Sequence, residues 1–338
     1  MNIFILGANG FIGSHLTETI LAKTDWQITA IDLTDDKIKN ALSHPRINFL
    51  LGDITKESSW IETQLKNADV VLPLAAVATP ATYVQNPMRV FELDFETNLE
   101  IVRLCAQHQK RVVFPSTSEV YGMCPDSEFD EETSVCVTGP IAKERWIYSA
   151  SKQLLDRVIF ALGQHQGLSY TLFRPFNWYG PRLDNVHNAK PGGSRVLTQF
   201  IGNILRCEPI YLVNGGEQKR CFTYIDDGID ALMRIIENKN SSAHNKIFNI
   251  GNPTENISIK KLAETLLQMI SNHYPAYQSQ ANKVELITTS AKQYFGEGYQ
   301  DVSLRVPSIK RAREHLQWQP NIDITSGLHK TLDFYLRT

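Results

Sequence analysis

The chain has 338 residues with 34 basic and 36 acidic side chains, long enough for one large or two modest domains with a substantial core. So even a balance gives no electrostatic reason to bind nucleic acid or an anionic membrane, and no apolar run reaches membrane-spanning length. The five cysteines (Cys105, Cys124, Cys136, Cys207 and Cys221) contain no C-x-x-C, and the nine histidines show no paired-ligand spacing, so neither a disulfide framework nor a metal is expected and a reducing cytoplasm is the expected compartment.

Asn2 to Leu6 is a short apolar run that reads as a core strand. Gly7, Gly10 and Gly13 follow at spacing G-x-x-G-x-x-G, with Phe11 and Ile12 between the last two, and lead into the helical run SHLTETILAK. The first glycine suits a tight exit from the strand, the second lets a pyrophosphate approach the backbone, and the third lets helix pack closely on strand. Phosphates then meet unpaired N–H groups at a helix N-terminus. A glycine triplet alone also fits a plain strand-to-helix turn, so its surroundings matter. Trp26 to Ile31 is a second apolar strand, ending in Asp32 near the offset of a ribose-binding carboxylate. A carboxylate there accepts from a ribose diol and repels a 2′-phosphate, and Leu33 and Thr34 bring no cation, so NAD is expected rather than NADP. With this strand opening at residue 2 and no basic stretch before it, no secretory leader is expected.

After Asp32 a short polar helix leads to a third strand, INFLLGDI, whose end at Asp53 and Ile54 is expected to border the adenine ring. Asp69 to Leu74 is a fourth strand. The small residues that follow, beginning with Ala75 and Ala76 after Leu74, leave room for a cofactor across the strand ends, where open α/β sheets bind ligands. Pro87 suits the first turn of a long helix through His108, with Phe91, Phe95, Leu99, Val102 and Ala106 at helical spacing. Arg111 to Pro115 is a fifth strand. This alternation predicts an α/β fold with a doubly wound parallel Rossmann sheet.

At the end of the fifth strand stands STSEVYG, residues 116 to 122, whose hydroxyl and carboxyl groups are expected to face the crevice. Further on, WIYSASKQLLDRVIFAL carries the chain's only Y-x-x-x-K, with Tyr148 and Lys152 on one helix face. An ammonium beside a phenol favours phenolate, which would make Tyr148 a base near neutral pH. Leu168 to Arg174 is a sixth strand, and the Gly-, Pro- and Asn-rich loop from Pro181 to Ser194 is expected to move when substrate binds. A helix from Arg195 to Arg206, a strand Ile210 to Val213, the Gly215-Gly216 turn and a strand through Phe222 then suggest a smaller C-terminal α/β substrate-binding part. Helices at 226–239, 258–272 and 324–337 are expected to cover the core, and 273–283 reads as a polar, mobile excursion. The expected division is 1–175 for the NAD-binding domain with the Tyr-Lys helix and 176–338 mainly for substrate, with chain crossings between them.

These motifs, with RPFNWYGPR (174–182) and RCFTYIDD (220–227), together resemble the extended short-chain dehydrogenases that modify nucleotide sugars, over essentially the whole chain. More narrowly, RWIYSASKQLLDR, FNWYGPRLDN, GGEQKRCFT and GYQDVSLRVPSI resemble the decarboxylase half of bifunctional polymyxin-resistance enzymes, which oxidatively decarboxylates UDP-glucuronic acid. The formyltransferase half of such enzymes has no counterpart here, so a stand-alone decarboxylase is expected.

The resemblance implies Tyr148 and Lys152 as the oxidation pair, Thr117 and Ser118 holding the sugar, and Glu119 and Arg305 in decarboxylation and acid/base work. It also implies UDP-sugar contacts from Ala78, Tyr83, Arg145, Asn177, Arg195, Tyr211, Arg220 and Tyr299. Related 4,6-dehydratases carry Asp where Ser118 stands; a second carboxylate beside Glu119 would repel a uronic acid, and serine does not. Where the resembled enzyme has Lys, this chain has Tyr211, which removes a charge near the nucleotide. A homodimer through a four-helix bundle of the Pro87 and Tyr148 helices is expected from the same relatives. The leading reading is release of UDP-4-keto-pentose, NADH and carbon dioxide. Its alternatives are a UDP-xylose synthase that re-reduces the ketone, another nucleotide-sugar epimerase or dehydratase, and, from a different class, a non-catalytic NAD-sensing regulator.

Overall fold

A computed structural model describes residues 1–189, 193–302 and 304–337. Six strands follow the expected path: β1 (Asn2–Leu6), β2 (Gln27–Asp32), β3 (Ile47–Leu51), β4 (Val70–Pro73), β5 (Arg111–Pro115) and β6 (Tyr170–Pro175). A seventh, Lys246–Ile250, comes from the second half of the chain and had no counterpart among the expected strands. The sheet order is Lys246–Ile250, β6, β5, β4, β1, β2, β3, and every pair is parallel.

Both sheet faces are buried, which is why the strands read as continuous apolar runs. Alternation along β1 sends Ile3 and Ile5 into one core and Phe4 and Leu6 into the other. The order in which strands are added reverses between β1 and β4, so the crevice over their C-terminal ends is the topological switch point where such sheets take ligands. The loops after β1, β4 and β5 all open onto it.

The smaller part is built from two-stranded ribbons. Ile210–Val213 pairs in parallel with Leu286–Thr289, and Lys219–Cys221 pairs antiparallel with Asn256–Ser258. Helices Val196–Leu205, Ile225–Glu237, Ile259–His273 and Ile324–Leu336 pack around them and the sheet, close to the expected limits. Because Lys246–Ile250 completes the main sheet, the chain recrosses the 175/176 boundary.

Three local expectations are revised. The polar helix after Asp32 is a single 3-10 turn, Lys39–Ala41. The mobile excursion over 273–283 is instead short helical turns, Pro275–Tyr277 and Gln278–Ala281, anchored by buried Tyr274, whose hydroxyl donates to Asp333 Oδ1 at 2.6 Å. The long helix from Pro87 is interrupted: Pro87–Phe91 and Asn98–Gln107 are joined by a π-type turn, Glu92–Thr97. Of the loop expected to move, Lys190 to Gly192 lie outside the described residues. Its flanks are tied down by a two-pronged Arg182–Glu18 pair at 2.6 and 2.7 Å and by a His15 Nε2 to Pro181 carbonyl contact at 2.9 Å.

Candidate active site

The loop after β1 has the dimensions of a phosphate cradle. Gly7 has φ +96°, and a Cβ on it would lie 2.6 Å from the Ala75 nitrogen, so only glycine fits beside the loop after β4. Gly10 caps helix α1 (Phe11–Lys23) without any side-chain cap, and a Cβ there would approach only the Gly7 carbonyl, at 3.2 Å. The N–H groups at the start of α1, including those of Phe11 and Ile12, therefore face open space suited to a pyrophosphate. Gly13 packs α1 onto the turn, where a Cβ would lie 2.2 Å from the Gly7 carbonyl and 2.8 Å from Ala8 Cα. Gly13→Ala is expected to lower stability by about 1–3 kcal/mol through backbone overpacking and to abolish NAD binding, read by thermal melts with and without NAD.

Asp32 ends β2 and accepts from the backbone N–H of Asn9 at 2.8 Å and of Leu33 at 2.7 Å. Burial raises its pKa, with these backbone donors opposing. Asn9 also donates to Thr34 and Asp36 and accepts from Lys37, closing the 32–38 loop around the carboxylate. Asp53 lies beyond β3 and caps its own turn, accepting from Thr55 N at 3.0 Å and Thr55 Oγ1 at 2.8 Å, next to buried Ile54. Leu74 and Ala75 donate to the Leu6 carbonyl, holding the β4 loop with Ala76 and Ala78 over the crevice. These groups fit NAD: a phosphate cradle, a ribose acceptor, and small residues between.

Tyr148 and Lys152 point inward from the helix Trp146–Gln166 and are both buried. The Tyr148 ring stacks on Tyr83, centroids 4.6 Å apart and 7° from parallel, and its hydroxyl hydrogen-bonds Thr117. Burial pushes this phenol well above its ordinary pKa, and Asp94 adds to the effect. The expected lowering by Lys152 is therefore not what governs it here. The Lys152 ammonium instead donates to the Pro115 carbonyl at 3.1 Å, sits over the Phe114 ring at 4.7 Å and pairs with Asp94 Oδ1 at 3.6 Å. Asp94 had no place among the expected site residues.

Glu119 is the electrostatic hub. Its carboxylate pairs with Arg145 through one oxygen and Arg305 through the other. Burial alone would raise its pKa, but the two guanidiniums win and hold it down to about 2. A carboxylate so held is a poor proton acceptor, and Arg305, whose pKa Glu119 raises against burial, is a poor donor. In this arrangement the trio is a charge framework for a ligand. Arg145 is 1 % exposed, lies against Trp146 and Tyr299, and among the described residues its Nε and Nη1 donors have no partner.

Glu119, Arg145 and Arg305 line a cavity of about 220 Å³ together with Arg220, Tyr299, Asn177 and Tyr211. Arg220 donates to Asp301 Oδ1 at 2.7 Å, and the Tyr299 hydroxyl reaches the same oxygen at 3.3 Å. Asp301 is a second carboxylate absent from the expected set, although the motif around Tyr299 contains it. Asn177 adopts φ +41° and donates to the Cys221 carbonyl at 3.4 Å. Tyr211 stands on Ile210–Val213, 37 % exposed in the cavity's lining, with Tyr294 beside it at 6.4 Å. Arg195 also lines the cavity, but its guanidinium is engaged with Asp184 and the Leu183 carbonyl and lies over Phe11. Ser118 is buried beside Glu119, and the stacked pair Tyr83 and Tyr148 does not line this cavity, nor do Thr117, Ser118 and Lys152. Asp53, beyond β3, is not among the residues that line this cavity.

A search of solved structures adds relatives. The crystal structure of the PbgP3 protein from Burkholderia pseudomallei is 49% identical, superposes with a TM-score of 0.90, and the match covers 99% of this chain and 96% of that one. UDP-glucuronic acid 4-epimerase from Bacillus cereus, solved with UDP-glucuronic acid and NAD, shares the fold at 22% identity and a TM-score of 0.81, over 99% of this chain and 98% of that one. UDP-glucose 4-epimerase from Thermotoga maritima does so at 23% identity and 0.80, over 100% and 99%. A family model described as the NAD dependent epimerase/dehydratase family matches residues 3–251. With glycine cradle, ribose acceptor and Tyr-Lys helix in place along that match, the chain belongs to the NAD-dependent epimerase/dehydratase family, and NAD is its cofactor.

Proposed function

We propose that the chain catalyses oxidative decarboxylation of UDP-glucuronic acid to a UDP-4-keto-pentose, releasing carbon dioxide and NADH. The observation that carries this reading is the arginine framework around Glu119. The cavity is lined by four arginines (Arg145, Arg195, Arg220, Arg305) against three paired carboxylates (Glu119 and Asp301 in the lining, and Asp184 on Arg195), and among the described residues Arg145 Nε and Nη1 have no partner. That surplus of planar, bidentate donors suits a ligand carrying both a diphosphate and a sugar carboxylate.

The residues then divide the work. In its deprotonated form, which burial makes the minor one in the resting protein, Tyr148, held by Thr117 and by stacking on Tyr83, takes the proton from the sugar C4 hydroxyl. The glycine turn and Asp32 would hold NAD, which would supply the hydride acceptor for C4. The resulting ketone is β to the C6 carboxylate, so the C5–C6 bond breaks with its electrons passing to the C4 oxygen, and carbon dioxide leaves. Tyr148, now protonated, faces that enolate oxygen. Tyr148 returns that proton to the enolate oxygen, giving the enol. The substrate carboxylate competes with Glu119 for Arg145 and Arg305, and as those partners are drawn off, burial raises the Glu119 pKa and allows it to pass the enol's proton on to C5. The C4 hydroxyl's proton thus ends on C5 and both residues are restored. Ser118 supplies a hydroxyl where a second carboxylate would repel the uronate.

The decisive assay uses UDP-glucuronic acid labelled at C6: NAD-dependent release of labelled carbon dioxide is the expected result, and none from a protein that binds both ligands would refute the proposal. Among the described residues no helix is long and apolar enough to cross a membrane, and a nucleotide-sugar reaction fits the cytoplasm. Met88, Leu154 and Phe160 are exposed on the Pro87 and Tyr148 helices, which supports pairing of two copies through those helices.

A further inference from the structure

Asp94 is a buried carboxylate that the scheme above leaves unused. It arises in Glu92–Thr97, where the helix begun at Pro87 widens into a π-type turn before resuming at Asn98. An extra residue in such a turn rotates side chains off the α-helical stripe, and these turns concentrate at functional sites. Here Asp94 has no exposed surface. Its Oδ2 accepts from Val77 N at 3.0 Å, and its Oδ1 has no closer polar partner than the Lys152 ammonium.

Lys152 is equally enclosed, between the Pro115 carbonyl, the Phe114 ring and Asp94. Other charged groups face the pair without replacing it. Asp156, one turn further along the Tyr148 helix, is committed to Arg174 at 3.2 Å and to Ser116 at 2.7 Å. Arg89 acts on Asp94 from the preceding turn, while Glu119 and Asp94 itself act on both neighbouring phenols, Arg145 on Tyr83 and Arg195 on Tyr148. Among the described residues, Asp94 holds the one carboxylate that forms an ion pair with Lys152.

We propose that Asp94 is a positioning residue for the reaction: its carboxylate is the fixed counter-ion that keeps the Lys152 ammonium charged and in place one helical turn from Tyr148, and the π-type turn delivers it. A buried lysine without such a partner gives up its proton. Burial already pulls the Lys152 pKa down, and Asp94 is the largest opposing influence. Asp94 is itself pushed up to about 6 by burial, with Lys152 opposing, so the pair is complete above that pH and loses its negative member below it. Through Val77 the same carboxylate anchors the segment after β4, linking the cofactor crevice to the catalytic helix.

Asp94→Asn removes the charge and keeps the shape. Asn98→Ala is the control, because it removes a buried hydrogen bond to the Leu93 carbonyl (2.9 Å) in the same stretch without touching a charge. The first readout needs no sugar: NMR of NAD-loaded protein with 13Cε-labelled lysine, the Lys152 signal assigned by its loss in Lys152→Met. The expected result is a Lys152 titration midpoint lower by about one pH unit or more in Asp94→Asn and unchanged in Asn98→Ala. The second readout rests on the proposed function. For NADH formation from UDP-glucuronic acid, Asp94→Asn should lose activity as pH rises, with kcat down about tenfold or more near pH ~8.5 and KM unchanged. A Lys152 midpoint that stays within about 0.3 of wild type in Asp94→Asn, or that moves equally in both variants, overturns the proposal. If UDP-glucuronic acid is not turned over, the NMR result still decides it.

Discussion

Tyr148→Phe is expected to reduce NADH formation from UDP-glucuronic acid by about three orders of magnitude, within the range general-base removal produces, while thermal stability and NAD affinity stay near wild type. The substitution deletes one oxygen. The ring keeps its stack on Tyr83, and the group left without its partner is a Thr117 hydroxyl that can turn to another acceptor. The pH dependence separates this from a packing defect. In the resting protein burial holds the phenol protonated and Asp94 reinforces it, with the Thr117 hydrogen bond opposing. Only the deprotonated form accepts the C4 proton, so wild-type rate should rise with pH through the phenol's operative value, and the residual rate of Tyr148→Phe should show no such rise. Stopped-flow absorbance of NADH across pH, beside melting curves, checks both parts.

The second large effect is expected at Arg305. Arg305→Ala should lower carbon dioxide release and NADH formation together by about 10²–10³-fold, the scale of losing one preorganised charge partner. It also leaves Glu119 with Arg145 as its one remaining ion-pair partner, so burial regains ground and the Glu119 pKa rises from about 2. Because the native pKa is depressed, Glu119 contributes stability that is present above its unfolded value of ~4.3 and lost as pH falls toward about 2. In Arg305→Ala that contribution shrinks, so acid unfolding should begin at higher pH, read as melting temperature between about pH 2 and 5. Arg305→Lys restores the charge without the planar fork and should recover stability more than activity.

How much of this was legible in the sequence varies with the physics of each part. The glycine cradle announces itself because Gly7 needs a left-handed φ and Gly13 admits no Cβ, constraints that only one residue type meets. Strands β1, β2, β4, β5 and β6 carry their buried residues on both faces and read as apolar runs, and β3, at the sheet edge with no fully buried residue, still reads so. Lys246–Ile250 is equally strand-like, yet its KIFNI follows a polar stretch, and nothing local says that it pairs with β6 seventy-odd residues earlier. Arg305 and Glu119 were found through their motifs, but their mutual pairing depends on a loop that returns from the C-terminal part. Asp94 was missed for a sharper reason: in ELDFET it resembles a solvated residue of an amphipathic helix, and only the π-type turn sends it inward. Tyr274 shows the reverse, a polar-looking segment fixed by one buried aromatic and its bond to Asp333.

The central claim is that oxidation at C4 and loss of C6 occur in one active site without return of the hydride. Anaerobic incubation with UDP-glucuronic acid and excess NAD, following NADH absorbance, carbon dioxide and the mass of the sugar nucleotide, tests it directly. The account predicts NADH and carbon dioxide in equal amounts with a UDP-4-keto-pentose, seen partly as its hydrate. Carbon dioxide with a UDP-pentose and no net NADH would contradict it in favour of internal re-reduction, and an epimerised UDP-uronic acid with no carbon dioxide would contradict it outright.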